Sequence, residues 1–182
     1  MANTLKPYTM ITDYVTGREI PNVGAEENRQ LVEHYLVNEK GFSKEDIEVD
    51  TDLELNFAGD PYRSQVDLVV GMNGGTQRVM AFKCAAASLG SREREILAAA
   101  RLLDEKYQIP FSIVSDGKTA VVLDTVSGKK IGEGLDAIPS KNEVIEKLKS
   151  IKLRAFPKEK RDREKLIFRS YDSMNVNVQR NM

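Results

Sequence analysis

The stretch Arg63-Ser-Gln-Val-Asp-Leu-Val-Val-Gly-Met-Asn-Gly-Gly-Thr-Gln-Arg-Val-Met-Ala-Phe-Lys-Cys84 decides the fold. Largely apolar segments stand on both sides of Asn73-Gly-Gly75, and this kind of tripeptide is a strong turn signal. We therefore predict a β-hairpin with one strand over residues 63–71 and a second over residues 77–84.

The register that follows from this turn sorts the side chains by face. With residues 73–75 as the loop, Asp67 lies opposite Ala81 and Leu68 lies opposite Met80. Because side chains two apart on a strand point the same way, Asp67 and Lys83 share one face of the sheet. Directly opposed Cβ atoms are about 5 Å apart and diagonal neighbours about 7–8 Å apart. The hairpin thus brings a carboxylate and an ammonium together, either as a functional pair or as a salt bridge on a half-solvated face.

Hydrophobic periodicity places the remaining elements around the hairpin. Helical patterns and strand patterns follow one another in the order α-β-β-β-α-β-β-α, which predicts an α/β fold with a mixed sheet flanked by helices. We expect a single domain over residues 1–151 and a basic tail or helix over residues 152–182. The helices are predicted over residues 24–40, 91–106 and 140–151, and the strands outside the hairpin over residues 47–55, 111–115 and 119–125.

The first helix is expected to add a third group to the pair on the hairpin. Glu27, Leu31 and Tyr35 are four residues apart and therefore share one helix face, which we predict to pack on the sheet. Glu26 is predicted to point away from it. Glu27 is accordingly a candidate to orient the site formed by Asp67 and Lys83, although an acid in a first helical turn is also favoured by the helix dipole alone.

Composition narrows the chemistry that this chain can perform. It has 182 residues, of which 41% are hydrophobic and 30% charged, with a single cysteine and a single histidine. A disulfide scaffold, a cysteine-based zinc site and any site that needs two imidazoles are therefore excluded. No apolar run approaches the roughly 18 residues of a membrane span, and the N-terminal stretch has no apolar leader, so we expect a cytoplasmic protein with no membrane partner.

Positive charge is concentrated at the C-terminal end. Residues 151–182 carry nine basic and four acidic side chains, whereas the whole chain has a formal charge of −1. This asymmetry points to a polyanionic partner, with Lys160, Arg161 and Arg163 as candidate contacts, or to a solvated helix with internal ion pairs. The tail also holds apolar side chains that are candidates for docking on a protein partner or a second copy: Tyr171, Met174, Val176 and Val178.

The order of these motifs resembles the PD-(D/E)xK nuclease core, and more specifically the N-terminal domain of the type I restriction enzyme R subunit. The similarity spans about residues 19–149. It rests on Glu26-Glu-Asn-Arg-Gln30, Val66-Asp-Leu-Val-Val70, Lys83 and Ile109-Pro-Phe-Ser-Ile-Val-Ser-Asp-Gly117. The resemblance implies a restriction-endonuclease-like sheet, DNA as the partner, and hydrolysis of phosphodiester bonds with Mg²⁺ or Mn²⁺. In such a site Asp67 would be a metal ligand and Lys83 would help to activate the attacking water.

The chain departs from the family pattern at one essential position. The acid of the (D/E)xK element belongs two residues before the lysine, where this sequence has Ala81. In some members of the superfamily the following helix supplies the missing carboxylate; Glu93 and Glu95 are candidates here, and we take Glu95 as the metal ligand. Glu95 also lies near the position of the glutamine in a helical QxxxY element, but Ala99 replaces the tyrosine. A catalytically dead fold that only binds nucleic acid or a protein is therefore the alternative function.

Arginines on the second helix extend the candidate site. Arg92 and Arg94 lie in its first turn, and Arg101 follows seven residues after Arg94 on the same face. This row is predicted to follow a phosphate backbone beside the hairpin, or to pair with acids on its own helix.

Overall fold

The computed structural model describes residues 7–173, which form a mixed six-stranded sheet with helices on both faces and a separate two-stranded sheet. The strands are β1 (Met10–Thr12), β2 (Glu19–Pro21), β3 (Ile47–Phe57), β4 (Asp60–Met72), β5 (Gln77–Cys84), β6 (Phe111–Ser115), β7 (Ala120–Asp124) and β8 (Lys130–Glu133). The helices are α1 (Glu26–Asn38), α2 (Glu93–Leu102), α3 (Lys141–Leu148) and α4 (Arg161–Ser173). The predicted mixed α/β fold is confirmed.

The large sheet has the order β3-β4-β5-β6-β7-β8. Every neighbouring pair is antiparallel except β5 and β6, which run parallel and are connected through α2. A parallel pair needs a long crossover connection, and a helix is the usual way to supply one. This crossover holds α2 against the sheet beside the end of β5.

Two apolar cores hold the layers together. One core joins Leu68 and Phe82 of the hairpin to Val32 of α1 and Val144 of α3. The other joins Val69 and Ala81 to Ile96 of α2 and Phe168 of α4. Asp67 and Lys83 belong to the sheet face that is covered by α2 and α4.

The predicted hairpin register is wrong by two residues. Leu68 pairs with Phe82 and Val69 pairs with Ala81, and the register shifts once between Val70 and Gly71. Gly71 permits this irregularity, because a Cβ at this position would lie 2.6 Å from the Cα of Gly75. A shift of two residues preserves the side-chain faces, so Asp67 and Lys83 still share one side of the sheet.

The predicted elements are present in the expected order, with shorter helices and additional short strands. The helix that begins after Ser140 has a capping box, in which Ser140 Oγ accepts from the N–H of Glu143. The sequence reading missed β1, β2 and β8, which are three or four residues long and exposed along most of their length. Strands this short carry too few alternating residues to produce a periodic signal.

The C-terminal region contributes a helix to the molecule. Residues 161–173 form α4, whose Phe168 is buried in the core that α2 shares with the sheet. The predicted domain boundary at residue 151 stays a prediction. Of the apolar tail residues expected to dock on a partner, Met174, Val176 and Val178 lie outside the described residues. Within residues 7–173, none of the helices combines the length and apolar character needed to cross a membrane.

One edge of the large sheet is acidic. β3 pairs with β4 alone, so its other side is an edge. Asp52 and Glu54 alternate along this strand with Leu53 and Leu55, and the acids are exposed while the leucines are buried.

Candidate functional site

Asp67 in the middle of β4 and Lys83 near the end of β5 lie side by side. The two strands are antiparallel and Leu68 pairs with Phe82, so Asp67, which precedes Leu68, lies opposite Lys83, which follows Phe82. Nζ of Lys83 is 3.8 Å from Oδ2 of Asp67, and the N–H of Cys84 donates a 2.7 Å hydrogen bond to the same oxygen. Asp67 is almost fully buried, whereas the side chain of Lys83 is 19% exposed. The structure therefore brings this predicted pair together.

Glu95 completes the cluster from the first turn of α2. Its Oε1 is 3.4 Å from Nζ of Lys83, and its Oε2 is 3.5 Å from Nη1 of Arg92. Burial raises the pKa of the Glu95 carboxyl, the charge of Asp67 adds to this effect, and Lys83 and Arg92 oppose it. Two buried carboxylates thus flank the Lys83 ammonium, and the guanidinium of Arg92 lies on the far side of Glu95.

Ala81 explains why α2 can supply this carboxylate. Ala81 is fully buried in the same core as Ile96 and Ala99 of α2. A methyl group here lets α2 pack closely on β5, and this position brings Glu95 to Lys83. Within the described residues, no group of three or more histidine, cysteine or acidic side chains could hold a metal ion. Asp67 and Glu95 are two oxygen-donor side chains, and one or two carboxylates completed by water and substrate phosphate are a common set for Mg²⁺.

Glu27 does not face the sheet, so the predicted orientation of α1 is wrong. Its side chain is exposed and accepts a 2.6 Å hydrogen bond from Nδ2 of Asn22. The buried acids of α1 are instead Glu26 and Glu33, on the same face as Arg29. The burial of Arg29 rotates the helix relative to our expectation, and a charged residue gives no such signal in a hydrophobic pattern.

Arg29 is the centre of a buried ionic cluster that the sequence analysis missed. Its guanidinium lies within 4 Å of four carboxylates, which come from α1, β3 and the loop after β1: Asp13, Glu26, Glu33 and Asp50. Burial raises the pKa of Glu33 to about 8, the charge of Asp13 acts in the same direction, and Arg29 opposes both. Nη1 of Arg29 and Oε1 of Glu33 are 3.6 Å apart, and neither has a hydrogen-bond partner.

The arginines of α2 are engaged within the protein. Nη1 and Nη2 of Arg94 donate to the two carboxylate oxygens of Glu164 at 2.5 and 2.9 Å, and Nη1 of Arg101 donates to Glu164 at 3.1 Å. Burial opposes ionisation of Glu164, but hydrogen bonds and charge from Arg94 and Arg101 outweigh it and keep the pKa below its ordinary value. Arg92 pairs with an acid of α2, Glu95, as the second of the two expectations has it. The partner of Arg94 and Arg101 is Glu164 of α4, which neither expectation included.

The predicted basic contacts of the tail lie at the beginning of α4. Lys160 and Arg163 are exposed, and Arg161 is partly buried. All three are therefore at or near the surface, within four residues of Glu164 in the sequence.

Two sets of contacts attach α4 to the rest of the protein. The first is the pairing of Glu164 with the arginines of α2, and the second lies near the C-terminal end of α4. Asp172 accepts hydrogen bonds from the hydroxyl groups of Tyr62 and Ser64 on β4. Between the two attachments, Phe168 lines a cavity with Asp67, Lys83 and Glu95. The cavity measures about 10 Å³, which is the space for about one water molecule.

The comparison with protein families agrees with this architecture. The described residues form a mixed α/β sheet with an acid and a lysine side by side on its central hairpin. The family described as type I restriction enzyme R protein N terminus matches residues 24–139, which is more than half of the chain, and the protein belongs to this family. No curated protein and no solved structure matches the chain. The match contains Asp67, Lys83 and Glu95 and ends before α3 and α4.

Proposed function

We propose that this protein is a Mg²⁺- or Mn²⁺-dependent nuclease that cleaves phosphodiester bonds in DNA. The observation that carries the proposal is the convergence of Asp67 and Glu95 on Nζ of Lys83, at 3.8 and 3.4 Å. Membership of a restriction-enzyme family supports DNA as the substrate.

Asp67 and Glu95 are the residues that would hold the metal ion. When bound, a divalent cation polarises the phosphate and lowers the pKa of a coordinated water. Asp67 is fixed for this role by its hydrogen bond from the backbone of β5. Glu95 is fixed by the rigid first turn of α2 and replaces the acid that Ala81 lacks.

Lys83 supplies positive charge next to the two carboxylates. Its side chain is the most exposed of the three, so its ammonium is the group that faces an entering phosphate. There it stabilises the negative charge that develops on the phosphate oxygens, as a fixed cation does at a reacting centre. It also holds an attacking water in place by hydrogen bonding.

Basic side chains around the cluster would position the DNA. Arg92 is 27% exposed in its side chain and is 3.5 Å from Glu95, so it is suited to the phosphate next to the cleaved bond. Arg94 and Arg101, which share another face of α2, are further candidates, and near the start of α4 lie Lys160, Arg161 and Arg163. Contacts of this kind give affinity that decreases steeply with salt.

A plasmid-nicking assay tests the proposal. Wild-type protein with Mg²⁺ or Mn²⁺ is expected to convert supercoiled plasmid to nicked circles, and Lys83→Ala is expected to abolish this. Lys118→Ala is the matched control, because Lys118 is an exposed lysine in the turn between β6 and β7. Equal residual nicking by the wild type and Lys83→Ala would refute the catalytic role.

The second candidate function is a nuclease fold that binds DNA or a protein partner without cleaving. Ala81 favours it, because the position that carries an acid in the family pattern has none here. DNA binding that needs no metal, together with an absence of nicking, would identify this function. The slope of log affinity against log salt would then report the number of phosphate contacts.

A further inference from the structure

The reactive groups of the proposed site are covered by the protein's own C-terminal helix. Asp67 is 1% exposed and Glu95 is 3% exposed, and Phe168 of α4 forms part of the wall around them. A cavity of about one water molecule cannot admit a phosphodiester. DNA therefore cannot reach Asp67 and Glu95 while α4 is in the described position.

The attachment of α4 combines apolar and polar contacts. Phe168 is buried and Ile167 is partly buried against the core that α4 shares with α2, whereas Leu166 points outward with 56% exposure. Glu164 is held by two arginines of α2, and Asp172 is held by two hydroxyl groups of β4. These polar contacts are lost when α4 separates from α2 and β4, and a local opening of this kind does not require global unfolding.

Glu164 binds guanidinium groups that are also suited to binding a phosphate. Its two oxygens accept both terminal nitrogens of Arg94, and one of them also accepts from Arg101. Arginine binds carboxylate and phosphate with the same two-pronged geometry. The guanidinium groups of α2 can therefore bind α4 or a phosphate, but not both at once.

We propose that α4 is an autoinhibitory cover that competes with DNA for Arg94 and Arg101 and closes the cavity around Lys83. This inference rests on the proposed function insofar as it names DNA as the competing ligand. The movement of the helix itself is independent of any activity.

The test compares Glu164→Gln with Asp162→Asn in the full chain. Both variants remove one negative charge from α4, but the side chain of Asp162 is 95% exposed and its ion pair is with Lys165 of the same helix. Hydrogen exchange in residues 161–173 is expected to be about tenfold faster in Glu164→Gln, because a charge-assisted contact with two arginines is lost. Exchange in α2 and β5 should be the same in both variants. Asp172→Asn, which weakens the other attachment, should accelerate the same residues.

DNA affinity gives the second measurement, by titration of a fluorescent duplex. We expect Glu164→Gln to bind about tenfold more tightly than the wild type and Asp162→Asn to bind nearly as the wild type does. Equal affinities of Glu164→Gln and Asp162→Asn would overturn the proposal, because charge alone would then explain the effect. If no variant binds DNA, the proposed function fails, and the exchange data still decide on the cover. If hydrogen exchange in α4 is no faster in Glu164→Gln than in Asp162→Asn, the proposal that α4 is a cover is refuted.

Discussion

The backbone N–H of Cys84 donates to the same oxygen of Asp67 that lies nearest to the ammonium of Lys83. The orientation of Asp67 therefore depends on the backbone of β5 and not only on the lysine side chain. A substitution of Lys83 consequently removes a charge while the carboxylate beside it keeps its place. This separation makes the electrostatic role of the lysine measurable.

Replacing Lys83 with alanine is expected to raise the pKa of Glu95 further. Lys83 is the strongest of the cationic influences that counteract its burial. Loss of a neighbouring positive charge disfavours the ionised carboxylate and therefore raises its pKa. A pH titration of the isotope-labelled Glu95 carboxyl by NMR measures the shift, and Lys118→Ala should leave the titration unchanged. An unchanged Glu95 titration in Lys83→Ala would show that the two groups do not interact.

Moving the carboxylate from α2 back to β5 should preserve the site. Ala81→Glu alone adds a buried acid beside Asp67 and Glu95 and is expected to destabilise the fold by at least about 1–3 kcal/mol through overpacking. Glu95→Ala alone should abolish Mn²⁺ binding. The double variant Ala81→Glu/Glu95→Ala should recover Mn²⁺ binding and be more stable than the sum of the single changes predicts, by about 1 kcal/mol or more.

Calorimetry with Mn²⁺ and denaturant unfolding of all four proteins measure these two quantities. If the two substitutions change the unfolding free energy additively, or if the double variant binds Mn²⁺ no better than Glu95→Ala, then an acid at position 81 does not replace Glu95.

Glu33→Gln is expected to stabilise the protein increasingly as the pH rises from 5 to 8. The folded pKa of about 8 lies above the value in the unfolded chain, so the native state binds one more proton than the unfolded state between these values. Stability that depends on this proton is lost as the pH rises, with a slope of about 1.4 kcal/mol per pH unit. Denaturant unfolding at several pH values gives the difference between the variant and the wild type. A difference that does not change with pH would mean that Glu33 is ionised throughout this range.

Gly117→Ala should destabilise the contact between the β6–β7 turn and α1. Gly117 has a φ of +82°, and a Cβ there would lie 2.5 Å from Cβ of Leu31. Gly17→Ala is the control, since Gly17 has a φ of +72° and open space around it. Both substitutions incur the cost of a left-handed backbone, about 1 kcal/mol. Gly117→Ala should cost about 1–3 kcal/mol more in unfolding free energy. Equal losses would imply that the turn moves away from α1 without penalty.

The sequence predicted the hairpin well because its two faces differ so clearly. Because side chains alternate between the two faces of a strand, any register shift by an even number of residues leaves Asp67 and Lys83 on the same face. The error of two residues therefore did not change the expected pair. One residue of the error comes from a longer loop, since Met72 pairs with Gln77 and not with Thr76, and the other comes from the irregularity at Gly71. Periodicity cannot detect such a shift, since glycine is compatible with both regular and irregular strands.

Contacts between residues that lie far apart in the sequence could not be predicted from the sequence. Glu164 meets Arg94 across 70 positions, and nothing in the composition of α4 distinguishes Glu164 from the exposed Asp162. The choice between Glu26 and Glu27 failed for a related reason. The inward face of α1 is set by the ionic cluster around Arg29, and hydrophobic spacing assigns such residues to the outside.

The acidic edge of β3 has a consequence for how copies of this protein behave toward one another. An uncapped strand offers backbone groups with which a second molecule can pair, and charges along it oppose that pairing. Asp52 and Glu54 are therefore expected to keep the protein dispersed at high concentration. Asp52→Asn/Glu54→Gln should form oligomers in light scattering, and Glu146→Gln on α3 should not. A double variant that stays monodisperse would mean that the edge is protected by other means.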